Sequence, residues 1–459
     1  MQSPSMPSTS QSGCAGASHS WPQSCELWRW SRQQIQAWQL EQFNLQLERI
    51  LPSNQFYARK LHDSGIDLKA RLKDLSELSQ WPMTSKAELS ESSSVSGISL
   101  HQTFPAEQYS RLHRTSGTRG QPLMILDTAE DWSWWSTNWQ HVLNAAQVTN
   151  HDRVFLAFSF GPFIGFWSAH QACVDRGAMV IPGGGLSTIA RLEFMRTSAA
   201  TVVCCTPTYA LHMAEVAQAE KFPLESLSVR TLIVAGEAGG SVAEVRERIS
   251  GAWQASVVDH AGATEVGPWG FGWPDRCGLH INEASFIAEV IPFHGKITKF
   301  TSETVTQTDN VDSNTQVGEL VLTSLGRYGA PVLRYRTGDI VRLSRLGSFL
   351  DRCGFAWLPE GAIGRADDMV TIRGVNIFPS SIDGLIRSVS AEAEYQVLVT
   401  RQDHSISLAS KSNLALRSAE QIEKLLALRT GLRIQVVSAP HGSLPRSEAK
   451  SSRWKDQRR

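Results

Sequence analysis

The residues of this chain that could take part in chemistry lie in short segments that contain glycine. Residues 114–122 read RTSGTRGQP, so threonine and serine hydroxyls alternate with glycines. Glycine lets backbone N–H groups approach an anion closely, and hydroxyl groups add further donors. The segment therefore suits the β- and γ-phosphates of a nucleotide. It lacks the GxxxxGK[ST] spacing of the P-loop NTPases, and it fits an ordinary polar hairpin turn equally well.

Three further segments place glycines or carboxylates near the ends of predicted strands. Residues 236–240 (GEAGG) follow the apolar run 232–235, and ligands of open α/β sheets bind at such carboxyl ends. Glu265, in the segment GATEVG, could hold Mg²⁺ against phosphate oxygens. Asp339, in the segment RYRTGD, could accept both hydroxyls of a ribose. Taken singly, each segment is also typical of a tight turn, a solvated carboxylate or an Arg–Asp surface pair.

The sequence between these segments alternates predicted strands and helices. Residues 201–205 and 232–235 are short apolar runs, and residues 232–259 read as strand, turn, helix and strand. This order is a βαβ crossover, so it predicts an α/β protein with a parallel sheet covered by helices. Residues 154–174 carry no formal charge, but Gly161-Pro162 interrupts them. They predict a buried strand, a turn and a buried helix rather than a membrane span.

Helix positions follow from side-chain spacing and from capping residues. Leu40, Phe43, Leu47 and Ile50 predict an amphipathic helix that ends before Pro52. Capping boxes predict helix starts at residues 85–88 (SKAE), 241–244 (SVAE) and 418–421 (SAEQ), the last helix running to residue 431 and preceding a strand. We interpret four tryptophans as helix packing rather than a ligand site: Trp132, Trp134, Trp135 and Trp139.

The composition limits the classes of protein that the chain can represent. Of 459 residues, 41% are hydrophobic and 19% are charged, which is typical of a globular protein. Lys+Arg and Asp+Glu both number 44, so a whole-chain basic surface for nucleic acid or anionic lipid is excluded. Seven cysteines in this length predict reduced thiols and a cytoplasmic location. Residues 1–24 are predicted to be a disordered Ser-rich tail without a secretory signal.

The order of the segments is more specific than any one of them. RTSGTRGQP, GATEVGP, LRYRTGD, GRADDMVTIRGVNIFPSSID and LPRSEAK follow one another over residues 114–450. This set resembles the adenylate-forming (AMP-binding) superfamily, and most closely its phenylacetate–coenzyme A ligase-like branch. The resemblance extends from about residue 51 to residue 458, and the stretch 364–383 is its most diagnostic part.

The resemblance implies two domains and a reaction in two halves. A large N-terminal domain with mostly parallel, helix-covered sheets would span residues 25–363, and a small mobile α+β domain would span residues 369–459 after a hinge at 364–368. ATP and Mg²⁺ would convert a carboxylic acid into an acyl-adenylate, and coenzyme A would then displace AMP. The resemblance is also compatible with a homodimer, and it involves neither nucleic acid nor a membrane span.

The same resemblance implies roles for individual residues. It assigns the β- and γ-phosphates to Thr115, Ser116, Gly117, Thr118 and Gly120, and the adenine to Gly236, Glu237, His260, Ala261 and Gly262. Thr264 would lie near the α-phosphate, Glu265 would bind Mg²⁺, and Asp339 would bind the ribose. Arg365 would contact the nucleotide, Asp367 would be the hinge residue, and Lys450 would be the adenylating lysine.

Departures from the family pattern leave alternatives open. Ala261 stands where the family usually has an aromatic residue that stacks on adenine, and His260 could take its place. Residues 404–411 are polar where the C-terminal domain should help to receive coenzyme A. The alternatives are therefore transfer to a carrier-protein thiol or an amine, and a non-catalytic nucleotide-binding protein.

A structural metal and the acid-binding pocket are also suggested by the resemblance. Some relatives bind a structural metal through Cys and His, and the available ligands here are Cys277, His280 and Cys353. Structural zinc normally has four protein ligands, so we expect free thiols rather than zinc. The acid pocket would be lined from residues 158–167 and from Trp269 and Phe271, which would favour an aromatic or other hydrophobic acid. We interpret most of these side chains as core.

Overall fold

The computed structural model describes most of the chain up to residue 366 and separate pieces beyond it. The described residues are 24–69, 71–91, 101–115, 122–158, 160–292, 315–345, 353–366, 370–372, 375–377, 379, 382, 385–386, 389, 394–399, 404–409, 415–430, 434–440, 443–444 and 454–456. The predicted tail lies outside them, except that its last residue, Ser24, begins a short helix.

Helices build the first part of the described chain. They are α1 (Ser24–Leu27), α2 (Arg32–Ile50), α3 (Gln55–Asp63) and α4 (Lys86–Glu91), with a 3-10 turn at Leu75–Gln80. The predicted amphipathic helix is α2, in which Phe43, Leu47 and Ile50 are fully buried. Ser31 caps its first turn, accepting a hydrogen bond from the Gln34 N–H.

One large sheet contains twelve strands of the described chain. Its order is β10-β11-β12-β13-β9-β8-β7-β6-β5-β3-β4, with β14 paired to β12. The strands are β3 (Arg153–Leu156), β4 (Met179–Pro182), β5 (Val202–Cys205), β6 (Thr231–Ala235), β7 (Ser256–Ala263), β8 (Gly267–Trp273), β9 (Arg276–Ile281), β10 (Phe286–Pro292), β11 (Thr315–Ser324), β12 (Tyr335–Ser344), β13 (Trp357–Leu358) and β14 (Ala362–Arg365). A separate hairpin pairs β1 (Tyr109–Arg114) with β2 (Met124–Thr128).

The large sheet is parallel in one half and antiparallel in the other. β4, β3, β5, β6 and β7 pair in parallel, which confirms the predicted α/β class and βαβ crossover. In the other half, the neighbouring strands β7, β8, β9, β13, β12, β11 and β10 all pair antiparallel. The sheet as a whole is therefore mixed rather than mostly parallel. Short turns join β7 to β8 and β8 to β9, and turns of this length can connect only antiparallel neighbours.

Helices cover the parallel half on both faces and bury its apolar strands. They are α5 (Ala129–Ala145), α6 (Ile164–Asp175), α7 (Thr188–Thr197), α8 (Pro207–Ala219) and α9 (Ala243–Trp253). All four tryptophans of α5 are buried in one core cluster with strand residues such as Leu156 and Val258, which confirms their packing role. A second cluster joins the other face of β5 and β6 to α8 and α9. The predicted strand, turn and helix at 154–174 are β3 and α6.

Two of the three predicted capping boxes differ in the structure. Ser85 and Glu88 form the expected box at α4. Ser241 instead donates its hydroxyl to buried Asp259, and α9 begins two residues later without a side-chain cap. Asp259 lies on the neighbouring strand β7, and its carboxylate takes the Ser241 hydroxyl that would otherwise cap the helix. Ser418 lies within its helix, which begins at Ala415.

The described part of the C-terminal region forms an α+β unit. Strands β15 (Val370–Ile372) and β16 (Val375–Ile377) form a hairpin. Strands β17 (Glu394–Val399), β18 (His404–Ala409), β19 (Gln435–Ala439) and β20 (Trp454–Asp456) form a sheet of order β19-β18-β17-β20, beside helix α10 (Ala415–Thr430). Its core contains Ile382, Tyr395 and Leu426. Among the described helices, none combines the length and apolarity that a membrane crossing needs.

Candidate active site

Glu265 lies in the tight turn between β7 and β8 and points into a polar cluster. The turn follows from the sequence, because β7 ends at Ala263 and β8 begins at Gly267, whose φ of 125° suits glycine. The residue is only 7% exposed. The Tyr335 hydroxyl donates to Glu265 Oε1 at 2.8 Å, and the Lys86 ammonium lies 3.5 Å from the same oxygen. The carboxylate is therefore oriented by one short hydrogen bond and one looser ion pair.

A buried guanidinium holds the backbone of the same turn. Arg327 is fully buried, and its Nη1 donates to the carbonyl oxygens of Thr264 and Glu265, at 3.1 Å each. Its Nε donates to Asp127 Oδ1 at 2.9 Å, and Asp127, on β2, is also fully buried. Burial raises the pKa of the Asp127 carboxyl, and the Arg327 charge opposes this shift. The pair connects the β1–β2 hairpin to the turn that carries Glu265.

Asp339 and Arg365 lie opposite one another on β12 and β14. Arg365 Nη1 donates to Asp339 Oδ1 at 3.0 Å, and both side chains are partly exposed. Tyr335, at the start of β12, is close to both of them and to Glu265. Burial raises the pKa of Tyr335 well above its ordinary value. The negative charges of Glu265 and Asp339 raise this pKa further, and the positive charge of Arg365 lowers it. Glu265 thus contacts Tyr335 directly, and the charges of Asp339 and Arg365 lie near enough to act on the same hydroxyl.

The segment assigned to the phosphates begins at the open end of the β1–β2 hairpin. Thr115 donates its N–H to the Leu123 carbonyl, and its hydroxyl accepts from the Leu123 N–H, both at 3.0 Å. Burial, with the nearby Arg327 charge, lowers the pKa of His113 to about 4, so the hairpin lies beside the Arg327–Asp127 pair. Ser116, Gly117, Thr118 and Gly120 lie outside the described residues, as do Asp367 and Lys450.

The segment assigned to adenine follows β6 and is tied to a neighbouring helix. Gly236 has φ 91°, a left-handed conformation that favours glycine. The Glu237 carboxylate accepts hydrogen bonds from the N–H and the hydroxyl of Thr208, in the first turn of α8. Glu237 therefore stabilises the start of this helix, where a negative charge is favourable.

His260 and Ala261 face opposite sides of β7. The His260 ring lies in the core, where Nδ1 is 2.7 Å from the Gly270 carbonyl and the ring centroid is 4.2 Å from that of Trp139. Burial lowers the pKa of His260 to about 4. Ala261 is half-buried opposite Gly270, and Gly262 is exposed. Because side chains alternate along a strand, His260 cannot stack where the side chain of residue 261 points, and our suggestion that it replaces the aromatic residue is wrong.

The three candidate zinc ligands do not converge. Cys277 lies near the charges of Arg246 and Glu244 on α9. His280, three residues along β9, packs against Phe271 and Trp357 in the other core layer, and its Nδ1 is 2.9 Å from the Phe355 carbonyl. Positions separated by an odd number along a strand point to opposite faces. Within the described part of the chain, no three His, Cys, Asp or Glu side chains form a metal-binding group.

The residues expected to line an acid pocket are divided between core and surface. Phe271 and Trp269 are buried, and Phe271 packs with Trp28 and His141 in the core. A hollow of about 540 Å³ lies beside the β1–β2 hairpin and the turn before α6. Its lining combines aromatic, apolar and basic side chains, namely Arg111, Leu112, His113, Trp132, Pro162, Trp167 and His170 among others. The volume of the hollow is within the range of small-molecule sites, but the hollow is open to solvent and its lining residues Leu112 and Trp167 are exposed.

Four residues of the cluster were not singled out in the sequence. Tyr335 lies inside the quoted segment RYRTGD, so its motif was a usable signal. Asp127 and Arg327 lie in no quoted motif, and Lys86 lies only in the capping box at residues 85–88. The partners of all three are between 62 and 200 positions away along the chain. No local pattern reports such pairs.

Comparisons with known proteins agree with the architecture. Residues 374–458 match the family model described as the AMP-binding enzyme C-terminal domain. The chain is 28% identical over 447 residues to the phenylacetate–coenzyme A ligase of Escherichia coli (strain K12), covering 93% of this chain and 95% of that protein. It is 26% identical over 459 residues to the same enzyme of Thermus thermophilus, covering 92% and 96%. Over more than nine-tenths of its length the chain is therefore similar to phenylacetate–coenzyme A ligases.

A solved structure of an adenylate-forming enzyme shares this fold. It is a 2-hydroxyisobutyryl-CoA ligase in the postadenylation state, with a TM-score of 0.82, 24% identity and coverage of 93% of this chain and 90% of that one. The likeness covers nearly the whole chain, so it extends over both the large sheet and the C-terminal region.

The Glu265 carboxylate is suited to Mg²⁺. Mg²⁺ in nucleotide sites is typically bound by one or two carboxylates together with phosphate oxygens. Glu265 provides one such carboxylate, held by Tyr335 and facing a half-exposed lysine. The remaining ligands would then come from the nucleotide and from water.

Proposed function

We propose that the chain is an AMP-forming acid–coenzyme A ligase that activates a hydrophobic or aromatic carboxylic acid. The observation that carries the proposal is the contact of Glu265 with buried Tyr335, on the strand that also carries Asp339 paired with Arg365. These residues come from three separate segments, and a magnesium nucleotide needs a carboxylate for the metal and a second one for the ribose. The curated relatives, phenylacetate–coenzyme A ligases over more than nine-tenths of the chain, support the same reaction.

The proposed reaction has two displacement steps. In the first, a carboxylate oxygen of the acid attacks the α-phosphorus of ATP, an O–P bond forms, and pyrophosphate leaves with the electrons of the broken P–O bond. In the second, the sulfur of coenzyme A attacks the acyl carbon, the bond to AMP breaks, and the thiol proton passes to solvent. The first step joins two anions, so positioning and positive charge are the main demands on the protein.

Each side chain of the cluster has a proposed part in the first step. Glu265 would hold Mg²⁺, which when bound offsets the negative charge of the phosphates. Asp339 would accept hydrogen bonds from the ribose, and Arg365, now paired with it, would turn towards the nucleotide. Thr264 would lie near the α-phosphate. Lys450 and the segment 115–120 are proposed from the motifs alone, as the adenylating cation and the phosphate-binding loop.

The hollow beside the hairpin supports an aromatic or other hydrophobic acid as the substrate class. Trp167 is 42% exposed and offers ring surface there, whereas the Trp132 ring is covered by His113 and Arg111. Aromatic rings bind apolar groups well, and a few polar groups fix their orientation. The cytoplasmic location inferred from the cysteines is part of the same proposal.

Exchange of labelled pyrophosphate into ATP tests the first step. The panel would contain phenylacetate, 2-hydroxyisobutyrate, benzoate and medium-chain fatty acids, with Mg²⁺ present. We expect exchange with at least one aromatic or hydrophobic acid, and acyl-coenzyme A with AMP once coenzyme A is added. Glu265→Gln should remove exchange, because an amide is a poor ligand for Mg²⁺, and Glu48→Gln on the surface of α2 is the matched control.

The same assay separates the alternatives. Exchange without coenzyme A-dependent release of AMP would favour a carrier-protein thiol or an amine as the acceptor. Tight AMP binding without exchange across the panel would favour a non-catalytic nucleotide-binding protein and contradict the proposal.

A further inference from the structure

Lys86 places a cation beside Glu265, although in the sequence it belongs only to the capping box at residues 85–88 and to none of the adenylate-forming motifs. Its ammonium is 3.5 Å from Glu265 Oε1, and about half of its side chain is exposed. The Tyr335 hydroxyl makes the short hydrogen bond to the same oxygen, at 2.8 Å. Lys86 is therefore an ion-pair partner of Glu265 that is held loosely and remains open to solvent.

The backbone of residues 84–86 is fixed against the strand that carries Tyr335. The Thr84 N–H donates to the Arg334 carbonyl at 2.9 Å, and the Arg336 N–H donates to the Thr84 carbonyl at 2.8 Å. Thr84 is fully buried, and its hydroxyl donates to the Leu333 carbonyl. A parallel bridge between residues 84 and 335 thus positions the start of α4 beside Glu265.

Capping of α4 adds to this support. Ser85 and Glu88 form a capping box, and the other oxygen of Glu88 pairs with Lys60 of α3. The backbone of Lys86 is therefore held on two sides, while its four-carbon side chain stays free to turn. A fixed backbone with a flexible ammonium can move a positive charge over several ångströms at little cost.

Binding of a divalent cation to Glu265 is incompatible with the observed position of the Lys86 ammonium. An ammonium next to the carboxylate neutralises it, but a divalent cation on the same carboxylate would repel the ammonium. The nucleotide brings phosphate oxygens into the same place, and an ammonium has three N–H groups to donate to them. The phosphates therefore offer Lys86 a second partner at the moment it loses the first.

We propose that Lys86 is a phosphate-binding cation that also neutralises Glu265 while the site holds no nucleotide. Without nucleotide, it pairs with Glu265 and weakens binding of a free divalent cation. With magnesium nucleotide, it moves from Glu265 to the phosphates and adds positive charge for the first displacement. This inference rests on the proposed function, because it takes ATP as the ligand of the site.

Two binding measurements with opposite expected signs test the proposal. The variant is Lys86→Met. The probes are MnCl₂ without nucleotide, followed by electron paramagnetic resonance, and ATP with MgCl₂ but without an acid, followed by calorimetry. We expect Mn²⁺ to bind about two- to fivefold more tightly, because a competing surface ion pair is removed. We expect magnesium ATP to bind about tenfold more weakly, because one charged hydrogen bond to the phosphates is lost.

Two further variants separate a direct contact between Lys86 and the phosphates from the structural support of α4. Lys86→Arg should keep most of the ATP affinity, because it keeps the positive charge. Lys60→Met also removes one positive charge, and it loosens α4 because Lys60 pairs with Glu88 and not with Glu265. It should leave both dissociation constants within about twofold of the wild-type values. In pyrophosphate exchange, Lys86→Met should raise the KM for magnesium ATP and lower kcat/KM.

The outcomes distinguish this inference from the proposed function. Unchanged ATP affinity in Lys86→Met, with normal binding and exchange by the wild type, would refute the phosphate contact alone. Unchanged Mn²⁺ affinity would refute the neutralising role. Failure of the wild type to bind ATP would refute the proposed function, and this inference with it.

Discussion

Replacing Arg327 with methionine tests the buried pair beneath the Glu265 turn. Arg327 and Asp127 have fully buried side chains, and the guanidinium also donates to the Thr264 and Glu265 carbonyls. Arg327→Met leaves the Asp127 carboxyl without its countercharge and leaves both carbonyls without a donor. Removing one partner of a buried ion pair costs about 3–5 kcal/mol, so we expect this loss in the free energy of unfolding at pH 8.

The cost should depend on pH in a defined direction. Burial already raises the pKa of Asp127, and loss of the Arg327 charge removes the effect that opposed this shift. A folded-state pKa above the unfolded one means that the folded protein binds the extra proton, so the penalty grows as the pH rises above about 4. Arg327→Met should therefore be less destabilised at pH 5.5 than at pH 8.

The assay is urea unfolding followed by tryptophan fluorescence, with a double-mutant cycle. Trp135 is a suitable reporter, because its Nε1 donates to Asp127 and the Arg327 guanidinium lies 5.2 Å from its ring. Asp127→Asn/Arg327→Met should be less destabilised than the sum of the single variants, by about 2 kcal/mol or more. Arg71→Met, at an exposed ion pair with Glu48, is the control and should cost less than about 1 kcal/mol.

Two results would refute this reasoning. One is a loss in Arg327→Met of less than about 1 kcal/mol, which would match an exposed pair rather than a buried one. The other is additivity in the cycle, which would show that the two side chains do not stabilise one another.

Three further predictions concern residues of the candidate site. Folded-state His260 has a pKa of about 4, against about 6.5 when unfolded. The unfolded chain therefore binds more protons than the folded protein below pH 6.5, and this histidine alone should lower the free energy of unfolding by about 2 kcal/mol at pH 5. His260→Gln should remove this loss, which urea unfolding at pH 7 and pH 5 would measure. Ala261→Tyr should tighten AMP binding about fivefold in equilibrium dialysis, because it adds a ring opposite Gly270 that can stack on the base. Lys450→Ala should abolish pyrophosphate exchange while AMP binding stays within about threefold, because the lysine is proposed to act on the reacting groups.

Each of these predictions has a result that contradicts it. An unchanged difference in stability between pH 7 and pH 5 in His260→Gln would show that His260 does not titrate as described. Unaltered AMP affinity in Ala261→Tyr would show that this face of β7 does not meet the base. Exchange at the wild-type rate in Lys450→Ala would remove the lysine from the proposed chemistry.

The parallel half of the sheet could be predicted because its signals are local. Val202–Cys205 is buried and apolar throughout, and Thr231–Ala235 is apolar after its first residue and buried up to residue 234. The helix between β6 and β7 makes the crossover recognisable. β8 and β9 contain glycines and mixed residues without regular alternation, so their antiparallel pairing left no clear pattern. Ser241 shows the limit of a local signal, because Asp259 offers it a stronger acceptor across the sheet.

The sequence by itself determined the position of the turn that carries Glu265 and of the motif that contains Asp339, because glycine is required where the backbone turns and the motif order is specific. Only the tertiary structure decided what surrounds them: the ammonium of Lys86, the buried guanidinium of Arg327 and the inward direction of His260. Glycines act on their own neighbours in the chain, whereas these side chains find partners across the fold. Burial then sets the strength of each charge pair, and burial is a property of the packed molecule that no short stretch of sequence contains.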